Sequence, residues 1–304
     1  MEQKETRTIL VLGGTGTQGG YVARELLRHG HRVRILTRNP ESEAAQTLAA
    51  QGAEVSRGDL ADPVSLGPAM HQVAAIFSVQ YADPYDQTIE PRNAANMVQA
   101  ARDAGIKQVV HTSVAGSNFF PRWDKYEYLA RTWDNKYDIE ELIRGGGFRY
   151  WTILHPCWFM ENFTEPLSAF MAPELKKGVL FGTMHRDTPL KLNSGEDTAR
   201  FARAAFEDPQ KFHAKDINVA SDELSMSAIA DTLSRVLDKK VVFETVGSEE
   251  TRNRGMLEGT TYFMEWLEEF PGFGFNMQET RQYGVALKSF AEWVDENRDR
   301  FDIQ

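Results

Sequence analysis

Three glycines, Gly13, Gly16 and Gly19, stand three residues apart, behind the apolar run Ile9 to Leu12 and ahead of Val22, Ala23, Leu26 and Leu27 at helical spacing. A G-x-x-G-x-x-G turn between a strand and a helix leaves few folds open. The first glycine permits a tight turn, and the second lets backbone amides approach an anion. The third lets the helix press on the strand while its N-terminus faces that anion. Two linked phosphates suit such a turn, with Gly13, Thr15, Gly16, Thr17, Gln18 and Gly19 as the expected contacts. Thr8 to Leu12 does not alternate in polarity, as expected of a central parallel strand buried on both faces. Gly30 supplies the backbone freedom to end the helix, and Val33 and Ile35 alternate with Arg32 and Arg34 in a second strand. This completes a strand, helix, strand unit within about thirty residues.

The alternation continues along the chain. Ala53 to Ser56 reads as a third strand, Pro63 suits the first turn of a helix, and Ala74 to Val79 makes a fourth strand. A helix through Ala95, Val98 and Ala101 closes at Gly105. Gln108 to Ser113 follows as a strand, then a helix from Thr132 to Arg144 and a strand from Trp151 to Leu154. This order predicts an α/β fold, a doubly wound parallel sheet of the Rossmann-like kind, with ligands beyond the carboxyl ends of its strands. Past Pro156 the rhythm weakens. Residues 1–156 are therefore read as the dinucleotide-binding domain, completed by a strand near 215–220 through Ile217 and Val219. Residues 157–304 are read mainly as a smaller α/β substrate-binding portion, with helices over 227–237 and 285–294.

The end of the second strand narrows the nucleotide. NAD-specific proteins usually carry a carboxylate there for the ribose 2′-hydroxyl, whereas this chain has Thr37, Arg38 and Asn39. A guanidinium can grip a 2′-phosphate with two prongs, and a hydrogen bond to a charged group contributes roughly 1.5–3 kcal/mol. NADP(H) is the cofactor this predicts; the alternative for Arg38 is a solvated surface arginine. Asp59, after the third strand, could accept from the adenine amine, or it could cap a helix, as could Asp62. Val79, at the end of the fourth strand, is counted among the cofactor contacts.

Composition excludes several other functions. A formal net charge of -10 would repel nucleic acid phosphates, so direct nucleic-acid binding is not expected. The partner is read as a small-molecule substrate or a regulated protein, and homo-oligomer formation is left open. The single cysteine, Cys157, rules out an intrachain disulfide and a thiolate zinc site, and suggests a reducing compartment. His29 and His31 flank a helix end, where a histidine suits the negative pole of the dipole, so no metal is expected. With no signal-peptide core and no membrane-length apolar span, the expectation is a cytoplasmic protein away from membranes.

Gly13 to Gly19, Thr37 to Pro40, Gly58 with Asp59, and Pro156 to Asn162 together make the chain resemble the NmrA-like family of atypical short-chain dehydrogenases/reductases. The resemblance is strongest over residues 8–165. It implies either an NADPH-dependent reductase or a non-catalytic protein that senses NADP. Short-chain dehydrogenases generally use Tyr-x-x-x-Lys, and none of the nine tyrosines here has a lysine four residues on. Lys136 nevertheless lies three residues before Ile139 and seven before Ile143, on the apolar face of its helix.

By resemblance, Lys136 matches the family lysine that bonds the nicotinamide ribose and could relay a proton; a snorkelling surface lysine is the alternative. Ser113 likewise matches the position of the family's catalytic serine, or is only a cap or turn former. Pro156 and Phe159 are expected to border the nicotinamide. Tyr81, Trp123, Tyr126, Tyr128, Trp133 and Trp158 supply aromatic material, with Tyr126 or Tyr128 as a candidate acid. The expected activity is NADPH-dependent reduction of a small apolar carbonyl, quinone, imine or activated alkene. The alternative is a non-catalytic NADP(H)-binding redox sensor.

Overall fold

The computed structural model describes residues 7–83, 85–117 and 127–304, the last segment with side chains from 131 onward. In chain order the first elements are β1 Thr8–Val11, α1 Thr17–Arg28, β2 Arg32–Thr37, α2 Glu43–Ala50, β3 Glu54–Arg57 and α3 Pro63–Met70. Then come β4 Val73–Val79, α4 Ile89–Asp103, β5 Gln108–Thr112, α5 Glu127–Arg144, β6 Tyr150–Pro156, β7 Trp158–Phe159 and α6 Ser168–Met171. Next are β8 Val179–Gly182, β9 Pro189–Asn193, α7 Gly195–Glu207, α8 Pro209–Phe212, β10 Lys215–Val219, β11 Asp222–Ser225 and α9 Met226–Leu237. The chain closes with β12 Val242–Thr245, α10 Ser248–Asn253, α11 Glu258–Glu269, α12 Met277–Arg281 and α13 Phe290–Glu296. The described residues form two compact units. The first holds those up to 117 with Arg131–His155 and Thr198–Ile217, and the second holds 127–130, Pro156–Asp197 and Asn218–Gln304.

A seven-stranded sheet in the order β10-β6-β5-β4-β1-β2-β3 forms the frame of the first unit. β1 pairs in parallel with both β2 and β4, β2 with β3, β4 with β5, and β5 with β6. Ile9, Leu10, Val11 and Leu12 are all buried, which is why this strand shows no alternation in sequence. Leu10, Leu12, Ile76 and Val109 join one core with Leu66 and Met70 of α3, Met97 and Ala101 of α4, and Ile143 of α5. The neighbour of Val109, Gln108, faces the other way and donates to the Ala205 carbonyl of α7 at 2.7 Å. α7 also reaches α1, through Arg203 and Glu25 at 2.9 Å. Helices thus cover both faces, as the sequence alternation requires. The strand order reverses at β1, between β2 and β4, and that reversal opens the crevice where such sheets bind ligands.

Local chemistry sets the boundaries. α1 is stopped by Gly30, at φ +77°: the Gly30 amide donates to the Leu27 carbonyl and the His31 amide to the Leu26 carbonyl, each at 3.0 Å. This is the two-bond glycine stop for helices. β3 lies one residue later than the third strand expected from sequence, and α5 starts at Glu127, ahead of the apolar stripe that marks it in the sequence. The last helix begins at Phe290, not 285, because the hydroxyl of Ser289 caps Glu292 and the carboxylate of Glu292 caps Ser289 in return.

The second unit carries two small sheets. β11 runs antiparallel to β9, β7 runs parallel to β9, and β12 pairs in parallel with β8. Its core is aromatic: Trp158 stacks on Phe263 with centroids 5.6 Å apart, and Phe163 meets Phe290 edge-on at 5.6 Å. Lys191, 4% exposed, is held by Glu223 and by the Gly272 carbonyl, each at 2.6 Å. Among the described residues no helix is long and apolar enough to cross a membrane, and no three His, Cys, Asp or Glu side chains converge as metal ligands.

Candidate functional site at the carboxyl ends of β1, β2, β4 and β5

The glycine turn is as tight as its spacing demands. Gly13 has φ +62°, and a Cβ there would lie 2.6 Å from Cγ1 of Val79; a Cβ on Gly19 would lie 2.3 Å from the Gly13 carbonyl oxygen. α1 follows with Gly16 at its cap position, no side-chain cap and no acidic residue in its first turn. By contrast α2 is capped by Ser42 and α3 by Asp62. The first amides of α1, at the positive pole of its dipole, thus stand beside the exposed Thr15 and Thr17. A dinucleotide pyrophosphate fits this cradle, because the bare glycines keep the turn tight against Val79 and the helix start, and no carboxylate in the first turn competes for the free amides. The amide oxygen of Gln18 accepts from the Thr112 hydroxyl at 2.8 Å, which ties the start of α1 to the end of β5.

Arg38 is exposed, directly after β2, and carries no ion pair among the described residues. Its backbone is held in a small turn in which the Thr37 hydroxyl accepts from the Asn39 amide at 3.2 Å and Ser42 donates to the Asn39 carbonyl at 2.9 Å. Asp62 is the residue that caps α3. Asp59 instead accepts from the Ala61 amide at 2.9 Å in the turn that leads there.

Val79, against the glycine turn, is followed by Gln80, and Gln80 leads to Lys136. The Lys136 ammonium donates to the Gln80 carbonyl at 3.4 Å and is in direct contact with Glu90 of α4. Lys136 therefore does point inward, as its helical phase predicts, but its partner is a carboxylate that is only 1% exposed. The second oxygen of Glu90 is buried with no hydrogen-bond partner. Behind Gln80, its side-chain amide donates to Ser78, which meets Nδ1 of His111 at 3.1 Å. Burial pushes the His111 imidazole down to about 3, and the Lys136 charge adds to this against an opposing pull from Glu140. The ring is therefore neutral at pH 7.

Ser113 is buried beyond β5 and donates to Oε1 of Glu140 at 2.5 Å. Ser117 donates to the same oxygen at 2.7 Å, His155 meets it at 3.0 Å, and Arg144 holds the other oxygen at 3.0 Å. Burial alone would raise the pKa of Glu140. The hydrogen bond and charge of His155, with the two serines, override this and hold the carboxyl at about 2.

The structure thus gathers the glycine turn, Gln18, Val79, Lys136 and Ser113 along the carboxyl ends of β1, β4 and β5. Arg38 and Asp59 follow the ends of β2 and β3 at the same edge. Pro156 and Phe159 belong to the second unit, buried and half-buried respectively. Trp133 and Trp158 are buried, whereas Tyr81 is 76% exposed. Trp123, Tyr126 and the Tyr128 side chain lie outside the described residues. Glu90, Glu140 and His155 were not among the residues expected at the site. A signal existed for two of them: Glu90 falls on the same helical stripe as the buried Ala94, Met97 and Ala101, and Glu140 sits between Ile139 and Ile143. A charge on an apolar stripe marks a buried partner.

The fold defines an α/β protein with a doubly wound, Rossmann-like parallel sheet. The family model of the NmrA-like family matches residues 5–293, and the chain belongs to that family. An NmrA-like family domain-containing protein of Dictyostelium discoideum is 26% identical, over 98% of this chain and the whole of that protein. The NmrA-like family domain-containing oxidoreductase himF of Aspergillus japonicus is 28% identical, over 95% of this chain and 92% of its own. Among solved structures, the triphenylmethane reductase of Citrobacter sp. complexed with NADP(H) is similar with a TM-score of 0.79 at 24% identity, covering 95% of this chain and 99% of that one. NmrA, a negative transcriptional regulator in complex with NADP, is similar with a TM-score of 0.76 at 20% identity, covering 97% and 96%.

Proposed function

We propose that the chain is an NADPH-dependent reductase of a small apolar acceptor: a carbonyl, quinone, imine or activated alkene. The observation that carries this reading is the Lys136 ammonium, fixed between Glu90 and the Gln80 carbonyl, one residue beyond the Val79 side chain that abuts the glycine turn. Relatives named as oxidoreductases and a similarly folded NADP(H)-bound reductase support it. The uncapped head of α1 would hold the pyrophosphate and Arg38 the 2′-phosphate. When bound, the reduced nicotinamide supplies a hydride. Lys136 would bond the ribose hydroxyls and present a proton where charge develops on the acceptor, with Glu90 fixing its position. Ser113, its proton already committed to Glu140, would help orient that edge and not act as a nucleophile.

The test is NADPH consumption over a panel of such acceptors, with cofactor affinity measured separately. Lys136→Ala is expected to lower turnover well beyond any loss of affinity. Full turnover in that variant would remove the role assigned to Lys136.

A second reading is a non-catalytic NADP(H) sensor acting on a partner protein. It is favoured by the missing Tyr-x-x-x-Lys pair and by the likeness to a regulator that binds NADP. It predicts that partner affinity changes on cofactor binding by a measurable coupling free energy. Equal affinity in the two states would exclude it.

A further inference from the structure

We infer that Arg57 is the second arm of the 2′-phosphate site and sets cofactor choice together with Arg38. This rests on the NADP(H) reading above and extends it to a residue on another strand. A phosphate monoester carries about −1.5 to −2 charges near neutral pH, so one guanidinium leaves roughly one charge uncompensated. The turn that holds Arg38 has no second cation to offer. Asn39, Pro40, Glu41, Ser42 and Glu43 follow it, two of them carboxylates.

The sheet supplies the missing charge from the side. β2 and β3 are parallel and in register, with Thr37 opposite Arg57, so the residues that end the two strands stand about 5 Å apart at the same carboxyl edge. The contact persists past the strand ends: the Gly58 amide donates to the Thr37 carbonyl at 3.0 Å. A Cβ at Gly58 would lie 2.6 Å from Cδ1 of Leu36, so glycine is what lets β3 stay pressed on β2 there. Arg57 is exposed and, like Arg38, carries no ion pair among the described residues. The nearest acid in sequence, Asp59, is turned to the Ala61 amide at 2.9 Å. Arg34 of β2 behaves differently, since it is paired with Glu54 of β3 at 2.9 Å. Two exposed arginines with no ion pair among the described residues, Arg57 at the end of β3 and Arg38 directly after β2, thus stand at the carboxyl edge of neighbouring strands, where together they would form a site for a dianion.

The test uses the full chain and measures dissociation constants by calorimetry for NADPH, NADH and the minimal probe adenosine 2′,5′-bisphosphate, in the parent, Arg38→Ala, Arg57→Ala and Arg57→Lys. Arg57→Ala is expected to weaken NADPH and the bisphosphate about tenfold or more, while NADH stays within about twofold and so reports intact folding. Arg57→Lys should recover part of the loss, as a point charge without the fork. The NADPH preference should also depend less steeply on salt in Arg57→Ala than in the parent. If the parent prefers NADPH and Arg57→Ala keeps that preference unchanged, the inference falls and the proposed function stands. If the parent takes up neither cofactor, the proposed function itself is wrong and the inference goes with it.

Discussion

Replacing Glu140 by glutamine removes the negative charge on which three elements converge while keeping nearly the same volume. In the parent this carboxyl titrates at about 2 against an ordinary value of 4.5. At about 1.4 kcal/mol per pH unit, that gap corresponds to stability on the order of 3 kcal/mol. Because the folded value is depressed, the contribution is fully present above pH 4.5 and is lost as the pH falls from there toward 2. Glutamine can still accept from Ser113, Ser117 and His155 through the one oxygen they share, but it then turns its N–H group to Arg144, which needs an acceptor. Urea unfolding of parent and Glu140→Gln at a series of pH values measures the difference. A gap of about 3 kcal/mol is expected at pH 7, closing below pH 4. Parallel curves from pH 7 to pH 3 would refute the assignment of this charge as the organiser of β5, α5 and β6.

Three further outcomes follow from single sites. Lys136→Ala leaves Glu90 buried and unpaired, which should cost about 3–5 kcal/mol, whereas Lys136→Met with Glu90→Gln removes both charges and should cost much less; thermal unfolding separates the two. Gly19→Ala places a methyl group 2.3 Å from a backbone carbonyl oxygen that cannot swing aside, so the turn must open, with a loss of about 1–3 kcal/mol and of dinucleotide uptake by calorimetry. Burial pushes the Cys157 thiol up, so iodoacetamide should modify it only in denaturant; rapid alkylation of the native chain would contradict its 6% exposure.

Much of the frame was legible from the chain alone. An unbroken apolar strand, glycines at three-residue spacing and a helix ended by Gly30 are local signals, set by backbone sterics and by burial on both faces of a parallel sheet. They determined the α/β order, the position of the tight glycine turn before α1 and the inward phase of Lys136. What each inward group meets was not legible, because partners distant in sequence are chosen by strand order. Glu90 reaches Lys136 across 46 residues, and Arg57 stands beside the end of β2 only because β3 pairs there in register. Ser113 read as a lone hydroxyl at a strand end, and packing delivered Glu140, His155 and Ser117 to it as one buried network. Local sterics name the elements; burial in a low-dielectric interior, where a charge cannot stay alone, decides which of their side chains must find each other.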